Sequence, residues 1–209
     1  MPLAIASIAL LLISLAFIAW GRWITSPRLE QSVMVATPCQ FERTVRIPVS
    51  DRYFLYLYFN RKDASFEALR SLVGGVYGQT IEVDGKHIDA GEPPGLVIPL
   101  RWSLRRADSD LVTASGESAK LGSNSWSADE VGRLLHQCDI DGGRYIFKGE
   151  LLRGLPEFGN IRIRLVLGLS MKHAHSWAMG VYSWGSLLVP FALVGAVLTA
   201  LVGAILSWK

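Results

Sequence analysis

Four histidines and two cysteines are the residues best suited to metal or nucleophilic chemistry: His87, His136, His173, His175, Cys39 and Cys138. His173-Ala174-His175 has the most metal-like spacing, because residues two apart on a strand project to one face. A zinc or copper centre needs a third and a fourth ligand. No paired Cys or Glu/His helix motif supplies them, and polar residues at a membrane surface explain the pair more simply. Asp139-Ile140-Asp141-Gly142 opens like a calcium loop but lacks the later oxygens and the bidentate glutamate, so it reads as an acidic turn. Ser115-Gly116-Glu117-Ser118 does not have the G-x-S-x-G frame of a nucleophile elbow. Gly74-Gly75-Val76-Tyr77-Gly78 follows a helical stretch instead of opening one, which inverts the phosphate-cradling geometry. Neither a P-loop nor G-x-G-x-x-G occurs. These residues point away from an enzyme: no catalytic residue, cofactor or metal is expected.

Charge excludes another class. Lys and Arg number 21 against 18 Asp and Glu, a formal net charge of +3. The charges are scattered, with no basic run interleaved with aromatics, so nucleic acid is not an expected partner.

The elements that frame these residues are two apolar runs. Ser186 to Leu206 carries no charged residue. About 20 apolar residues at about 1.5 Å rise cross a bilayer core of about 30 Å. Tyr182, Trp184 and Trp208 bracket this run as amphipathic rings do at headgroup level. Leu3 to Trp20 is a matching run. It is longer than the apolar core of a cleaved signal and no small-x-small site follows it, so it reads as an uncleaved anchor. Membrane lipid is therefore an expected contact of both spans.

The second span carries small residues at close spacing. Ala192, Ala196, Ala200 and Ala204 recur every four residues, beside Gly195, Thr199 and Gly203. Such rows let helix backbones approach closely. The sequence leaves the partner open: the first span, the same span in a second copy of the chain, or another protein.

Between the runs the pattern becomes that of strands. Residues 1–23 form the first anchor, and 24–40, with Pro27 and Pro38, read as a tether. Residues 41–172 form the folded domain, and 173–209 the membrane-proximal segment with the second span. Val45, Ile47 and Val49 alternate with polar residues, and Tyr53 to Phe59 is apolar on both faces, as in a central strand. Asp63 caps a short helix through Phe66, Leu69 and Val73, ended by Gly74-Gly75. Leu96, Ile98, Leu100, Trp102 and Leu104 predict one strand, which Pro99 marks as an edge or a bulge. Ser127-Ala-Asp-Glu130 reads as a capping box opening a second helix with Val131, Leu134 and Leu135 inward. Strands follow at Arg144–Leu152 and Ile161–Leu169. The core is expected to include Leu100, Trp102, Val131, Leu134, Tyr145 and Ile163. Together these predict an Ig-like β-sandwich with two short helices, set between two transmembrane helices.

Two signals on orientation conflict. Arg22, Arg28, Arg162, Arg164 and Lys172 flank the spans on the domain side, which by charge bias puts the domain in the cytoplasm. Cys39 and Cys138 lie at strand margins, and a bridge between them would favour an oxidising compartment. The expectation adopted is a Cys39–Cys138 disulfide and a periplasmic domain held in a bacterial inner membrane.

Phe41 to Asn60 carries the run Tyr53-Phe-Leu-Tyr-Leu-Tyr58. Gly95 to Ile163 carries Ile98-Pro-Leu-Arg-Trp102 and then Gly143-Arg-Tyr145. In this pattern the middle domain resembles the small envelope β-sandwich proteins that act as immunity partners of bacterial type VI secretion toxins. The chain departs from them in having two spans and no lipid-attachment cysteine. The resemblance implies a non-enzymatic protein that binds and neutralises a toxin. A membrane-anchored scaffold subunit of an envelope complex is the alternative.

Overall fold

In a computed structural model the chain divides into two units: Met1–Ser26 with Leu169–Lys209, and Pro27–Gly168. The residues described are all except 1, 61–64, 66–68, 70–71, 74–79, 84–85, 90–95, 110, 119–122, 127–128, 160, 170–174 and 208–209.

The first unit is a helical hairpin of α1 (Pro2–Thr25) and α2 (Trp177–Ser207). Leu3–Thr25 and Trp177–Leu206 are each long and apolar enough to cross a membrane. Covered positions of α1 include Leu3, Ser7, Leu10, Ser14, Phe17, Gly21 and Ile24, in steps of alternately four and three, with Ile18, Trp20 and Thr25 half-covered beside them. Those of α2 include Tyr182, Gly185, Val189, Ala192, Ala196, Thr199 and Gly203, with the same alternation, flanked by half-covered Ser183, Leu193 and Gly195. A repeat averaging 3.5 is the seam of a left-handed helix pair. Small residues admit large ones across it. A Cβ on Gly185 would overlap the Phe17 ring, one on Gly21 would overlap Tyr182, and Gly203 lies against Leu3. The Ser7 and Thr199 hydroxyls share a hydrogen bond of 2.6 Å between the helices.

The second unit is a β-sandwich of two antiparallel sheets. The strands are β1 (Leu29–Val33), β2 (Cys39–Ile47), β3 (Asp51–Asn60), β4 (Thr80–Val83), β5 (Lys86–Asp89), β6 (Leu100–Arg106), β7 (Val112–Glu117), β8 (Ser123–Trp126), β9 (Glu130–Ile140), β10 (Gly143–Leu151) and β11 (Arg162–Leu169). A five-stranded sheet has the order β1-β11-β3-β9-β8, and a four-stranded sheet the order β2-β10-β6-β7. β4 and β5 form a separate hairpin. As the double-apolar pattern predicts, β3 is the middle strand of the larger sheet.

Tyr53, Leu55, Leu57 and Phe59 of β3 and Ile163, Leu165 and Leu167 of β11 fill the core from one side. Val45, Ile47, Leu100, Trp102, Leu104, Tyr145, Phe147 and Leu151 fill it from the other. Trp102 stacks on Phe147 with ring centroids 6.2 Å apart and meets His136 of the opposite sheet at 5.2 Å. Two tyrosines pin the turns before their strands: Tyr53 donates to the Val49 carbonyl at 3.1 Å and Tyr145 to the Asp141 carbonyl at 2.9 Å.

Four expectations are corrected. The helix opened by Ser127 does not form, since Glu130–Ile140 is strand β9, paired with β3 along its length. A bulge explains the false signal. Leu55 faces His136 and Tyr56 faces Leu134, so Leu135 is an extra residue. The bulge sets two leucines side by side and imitates helical spacing. Leu134 consequently faces outward, half-buried, while the rest of the expected core is buried. The strand expected from Leu96 begins only at Leu100. Leu100 N–H donates to the Ile98 carbonyl at 2.8 Å, a tight turn around Pro99. Pro99 therefore precedes β6, which is an interior strand, so no ladder bond is lost. The segment read as a tether supplies β1, with Leu29, Val33 and Val35 buried. Most of the helix expected from Asp63 lies outside the described residues, although Leu69, Leu72 and Val73 are helical.

The fourth correction concerns Cys39 and Cys138, which are free thiols. Cys39 opens β2 opposite Leu151 in the four-stranded sheet, whereas Cys138 stands opposite Tyr53 in the five-stranded one. They sit toward opposite ends of the sandwich, beyond the reach of an S–S bond.

Candidate partner-binding surface

The two ends of the sandwich differ in chemistry. One end is marked by Pro27 and Gly168, whose backbones lie side by side, and by the Ile47–Gly143 and Asp51–Ile140 pairs. The other is marked by the Asn60–Glu130 and Cys39–Leu151 pairs. The second end carries the surface described next.

Its rim is apolar. Met34 is 76% exposed and Val97 44%, with Leu96 and Leu152 also exposed. Backbone contacts knit these residues together. Leu152 N–H donates to the Pro99 carbonyl, Leu155 N–H to Val35, and the Cys39 thiol to the Met34 carbonyl. A hollow of about 300 Å³ between them is lined by Pro38, Cys39, Gln40, Glu150, Leu151 and Leu152.

Beneath the rim lies Arg133, only 2% exposed. Alternation on β9 turns it inward, over the Phe59 ring at 5.4 Å. Its Nη1 donates to the Leu96 carbonyl at 2.9 Å. Among the described residues its Nε and Nη2 have no acceptor. Burial pushes its pKa down to about 10, so it stays charged at neutral pH. A buried guanidinium without a carboxylate is costly, because desolvation is not offset by pairing.

Arg164 at the same end shows the ordinary solution: it bonds both Glu30 and Glu130, and Asn60 adds a bond of 3.3 Å to Glu130.

The apolar rim continues onto the outer face of the four-stranded sheet. There a shallow hollow of about 430 Å³ is lined by the side chains of Gln40, Glu42, Arg101, Ser103, Lys148 and Glu150, and floored by the strand backbone at Phe41, Trp102 and Gly149, whose rings and Cβ direction face the core. Phe41 covers Gly149, where a Cβ would overlap its ring. Around the hollow the charged side chains are paired across strands, Arg101–Glu117 at 2.7 Å and Lys148–Glu42 at 2.9 Å, and Gln40 donates to Glu150 at 2.8 Å.

Among the described residues, no three of His, Cys, Asp and Glu come together as a metal site. His136 is packed against Trp102, His175 is exposed, and His173 lies outside the described residues. Asp139 pairs with Arg52 at 3.0 Å, and Gly142 N–H donates to Ser50, so the Asp139–Gly142 segment is a structural turn. Both thiols are held toward their neutral form: burial, then Asp139, pushes Cys138 up to about 11, and burial raises Cys39.

The small-residue rows of α2 divide. Ala192, Ala196, Thr199 and Gly203 lie on the seam with α1, so the first span of the same chain is a partner. Ala200 and Ala204 are exposed, and nothing lies within 4 Å of a Cβ built on Gly195. Steps of four residues rotate about 40° around a helix of 3.6 residues per turn. An every-four row therefore drifts off a seam that repeats every 3.5.

Sequence reasoning missed Arg133, which an expected helix had placed without a role. Its signal was a lone basic residue within an apolar run, Val131-Gly-Arg-Leu-Leu135.

No protein-family model matches the chain, and neither does any curated protein. Among solved structures the chain is similar to a protein from Sulfurospirillum deleyianum, at 19% identity and a TM-score of 0.52 over 69% of this chain and 98% of that one. That likeness shows the fold, over a share about the size of the sandwich unit. A carbohydrate-binding module of Cellvibrio mixtus lichenase 5A, solved with cellotriose, is more distant: 10% identity, TM-score 0.29, 70% of this chain and 89% of that one. Its sugar is a property of that module alone.

Proposed function

We propose that this protein is a non-enzymatic, membrane-anchored binding protein. The end of the sandwich formed by Met34, Leu96, Val97 and Leu152 receives a protein partner. The observation that carries this reading is Arg133, buried under that rim with two of its nitrogens unsatisfied. Buried arginines beneath an apolar patch are the residues around which binding energy concentrates. A partner carboxylate or carbonyl reaching Nε and Nη2 would supply what the free protein lacks.

In biological terms we read it as an immunity protein, held in a bacterial inner membrane with a periplasmic domain, that neutralises a secreted toxin. The support is the pattern resemblance together with a binding surface on an anchored sandwich. The scaffold reading uses the same surface for an envelope subunit.

The test is site-specific photo-crosslinking of the full chain in native membranes. A photoreactive residue at Val97 should give one discrete protein adduct, lost when Arg133 becomes Met. The same residue at Thr113, on the outer face of β7 toward the other end, should not give it. Equal adducts from both positions would refute the assignment. A toxin encoded beside the gene and found in the adduct would favour immunity over scaffolding.

A further inference from the structure

The opposite end of the sandwich carries a second unassigned surface. Arg46 of β2 and Arg144 of β10 are direct cross-strand neighbours on the outer face of the four-stranded sheet. Both are exposed, and among the described residues neither guanidinium has a hydrogen bond or ion pair. Like charges directly opposite one another on a sheet are destabilising. Everywhere else on this face the opposed charges are of opposite sign.

Three of the acids at this end are already engaged. Asp108 bonds Arg106 at 3.1 Å, Asp139 bonds Arg52, and the Asp51 carboxylate accepts the Arg52 N–H at 2.7 Å. Asp141 is exposed at the turn into β10. Arg105 lies diagonally across from Arg144, opposite Ile146.

At the same end of the sheet, beyond β6, two apolar side chains face solvent where β6 turns into β7. Leu111 is 65% exposed, and Val112 is exposed next to it. The Arg106 N–H donates to the Leu111 carbonyl at 2.8 Å, which fixes the turn. Exposed leucine and valine at the same end as two unpaired arginines is the composition of a surface that sits at a headgroup boundary.

Connectivity selects the occupant. The chain enters the sandwich at Pro27 and leaves it at Gly168, and both residues stand at this end. Each is joined directly to the unit that holds the membrane-spanning helices.

We propose that this end binds the phosphate headgroups of an anionic bilayer surface. Arg46 and Arg144 are the phosphate contacts, and Leu111 and Val112 rest in the headgroup–acyl boundary. Guanidinium forks suit phosphate oxygens in pairs. Juxtamembrane basic groups are drawn to anionic lipid over about a Debye length.

The test is amide hydrogen exchange on the full chain in nanodiscs. One set is made of phosphatidylcholine alone, the other of phosphatidylcholine with phosphatidylglycerol. Exchange across residues 107–113 should slow several-fold in the anionic discs, while residues 34–38 at the other end should not change. In the double variant Arg46→Gln/Arg144→Gln the lipid effect should vanish. Both positions are exposed, so the fold is retained, which circular dichroism checks. Equal exchange in the two discs would overturn the proposal, as would slowing that survives in the double variant. Slowing produced by free glycerol phosphate in the neutral discs would make this a soluble-phosphate site instead. Slowing seen only in native membranes, and absent from both discs, would assign the end to an acidic protein.

Discussion

The two ends of the sandwich use arginine in opposite ways. At the Pro27–Gly168 end, Arg46 and Arg144 are in water and unpaired, where a free charge costs little. At the other end Arg133 is out of water and unpaired, where it costs much. A further contrast lies within that second end. Arg164 is half-buried and held by Glu30 and Glu130, while Arg133 has one backbone carbonyl and the Phe59 ring. The fold can supply carboxylates to a buried arginine, and among the described residues none reaches Arg133. That difference separates a residue that holds the fold together from one kept for something outside it.

The contrast can be broken by substitution. The largest effect is expected at Phe59, fully buried beneath Arg133. Phe59→Ala should cost about 3–5 kcal/mol as a large-to-small core change. A denaturation midpoint close to wild type would mean that this end is loosely packed and the burial of Arg133 incidental. Next comes Arg164→Met, which strands Glu30 and Glu130 without their cation. Chemical denaturation should show a loss of about 1–3 kcal/mol, the usual cost of leaving partly buried charged groups unpaired.

At the other end Tyr53→Phe removes one hydrogen bond, to Val49. The expected loss is about 0.5–1.5 kcal/mol, read from the shift in melting temperature. At neutral pH the smallest effect is in Cys138. Its folded pKa of about 11 lies above that of an unfolded thiol, near 8.5. The folded state therefore favours the neutral thiol. No stability is lost below about pH 8.5, and stability falls as pH rises from there toward 11. Alkylation of folded protein should be slow at pH 8, and unreduced, denatured protein should label at both cysteines. Failure to label under denaturing conditions would restore a bridge.

The strand pairs of the core were legible because burial follows alternation. Val45 and Ile47, Tyr145 and Phe147, and Ile163 to Leu167 all fall inward as the period of two requires. Both spans were legible from length and the lack of charge. What misled was local. The bulge at Leu135 set Leu134 and Leu135 in helical spacing, so a strand looked like a capped helix. An unbroken alternation through Pro99 hid a turn, and with it the exposure of Leu96 and Val97. Since Arg133 sits on that bulged strand and bonds Leu96, the candidate site was hidden by both errors at once. Cysteine spacing along the chain carried no information about which sheet each thiol joins. Which small residues of α2 face α1 depended on a 3.5-residue seam that needs both helices to define it.

Arg133→Met in the full chain tests most directly the claim that this residue is held for a partner. Methionine fills similar volume without a desolvated charge. If Arg133 serves a partner, the variant should be more stable than wild type by about 1–3 kcal/mol, as replacement of buried charges by apolar residues often is, and should lose the Val97 adduct. If denaturation instead shows the variant less stable, its bond to Leu96 and its contact with Phe59 are supporting the free fold. Arg133 would then be a core residue like any other, and the binding assignment would fall.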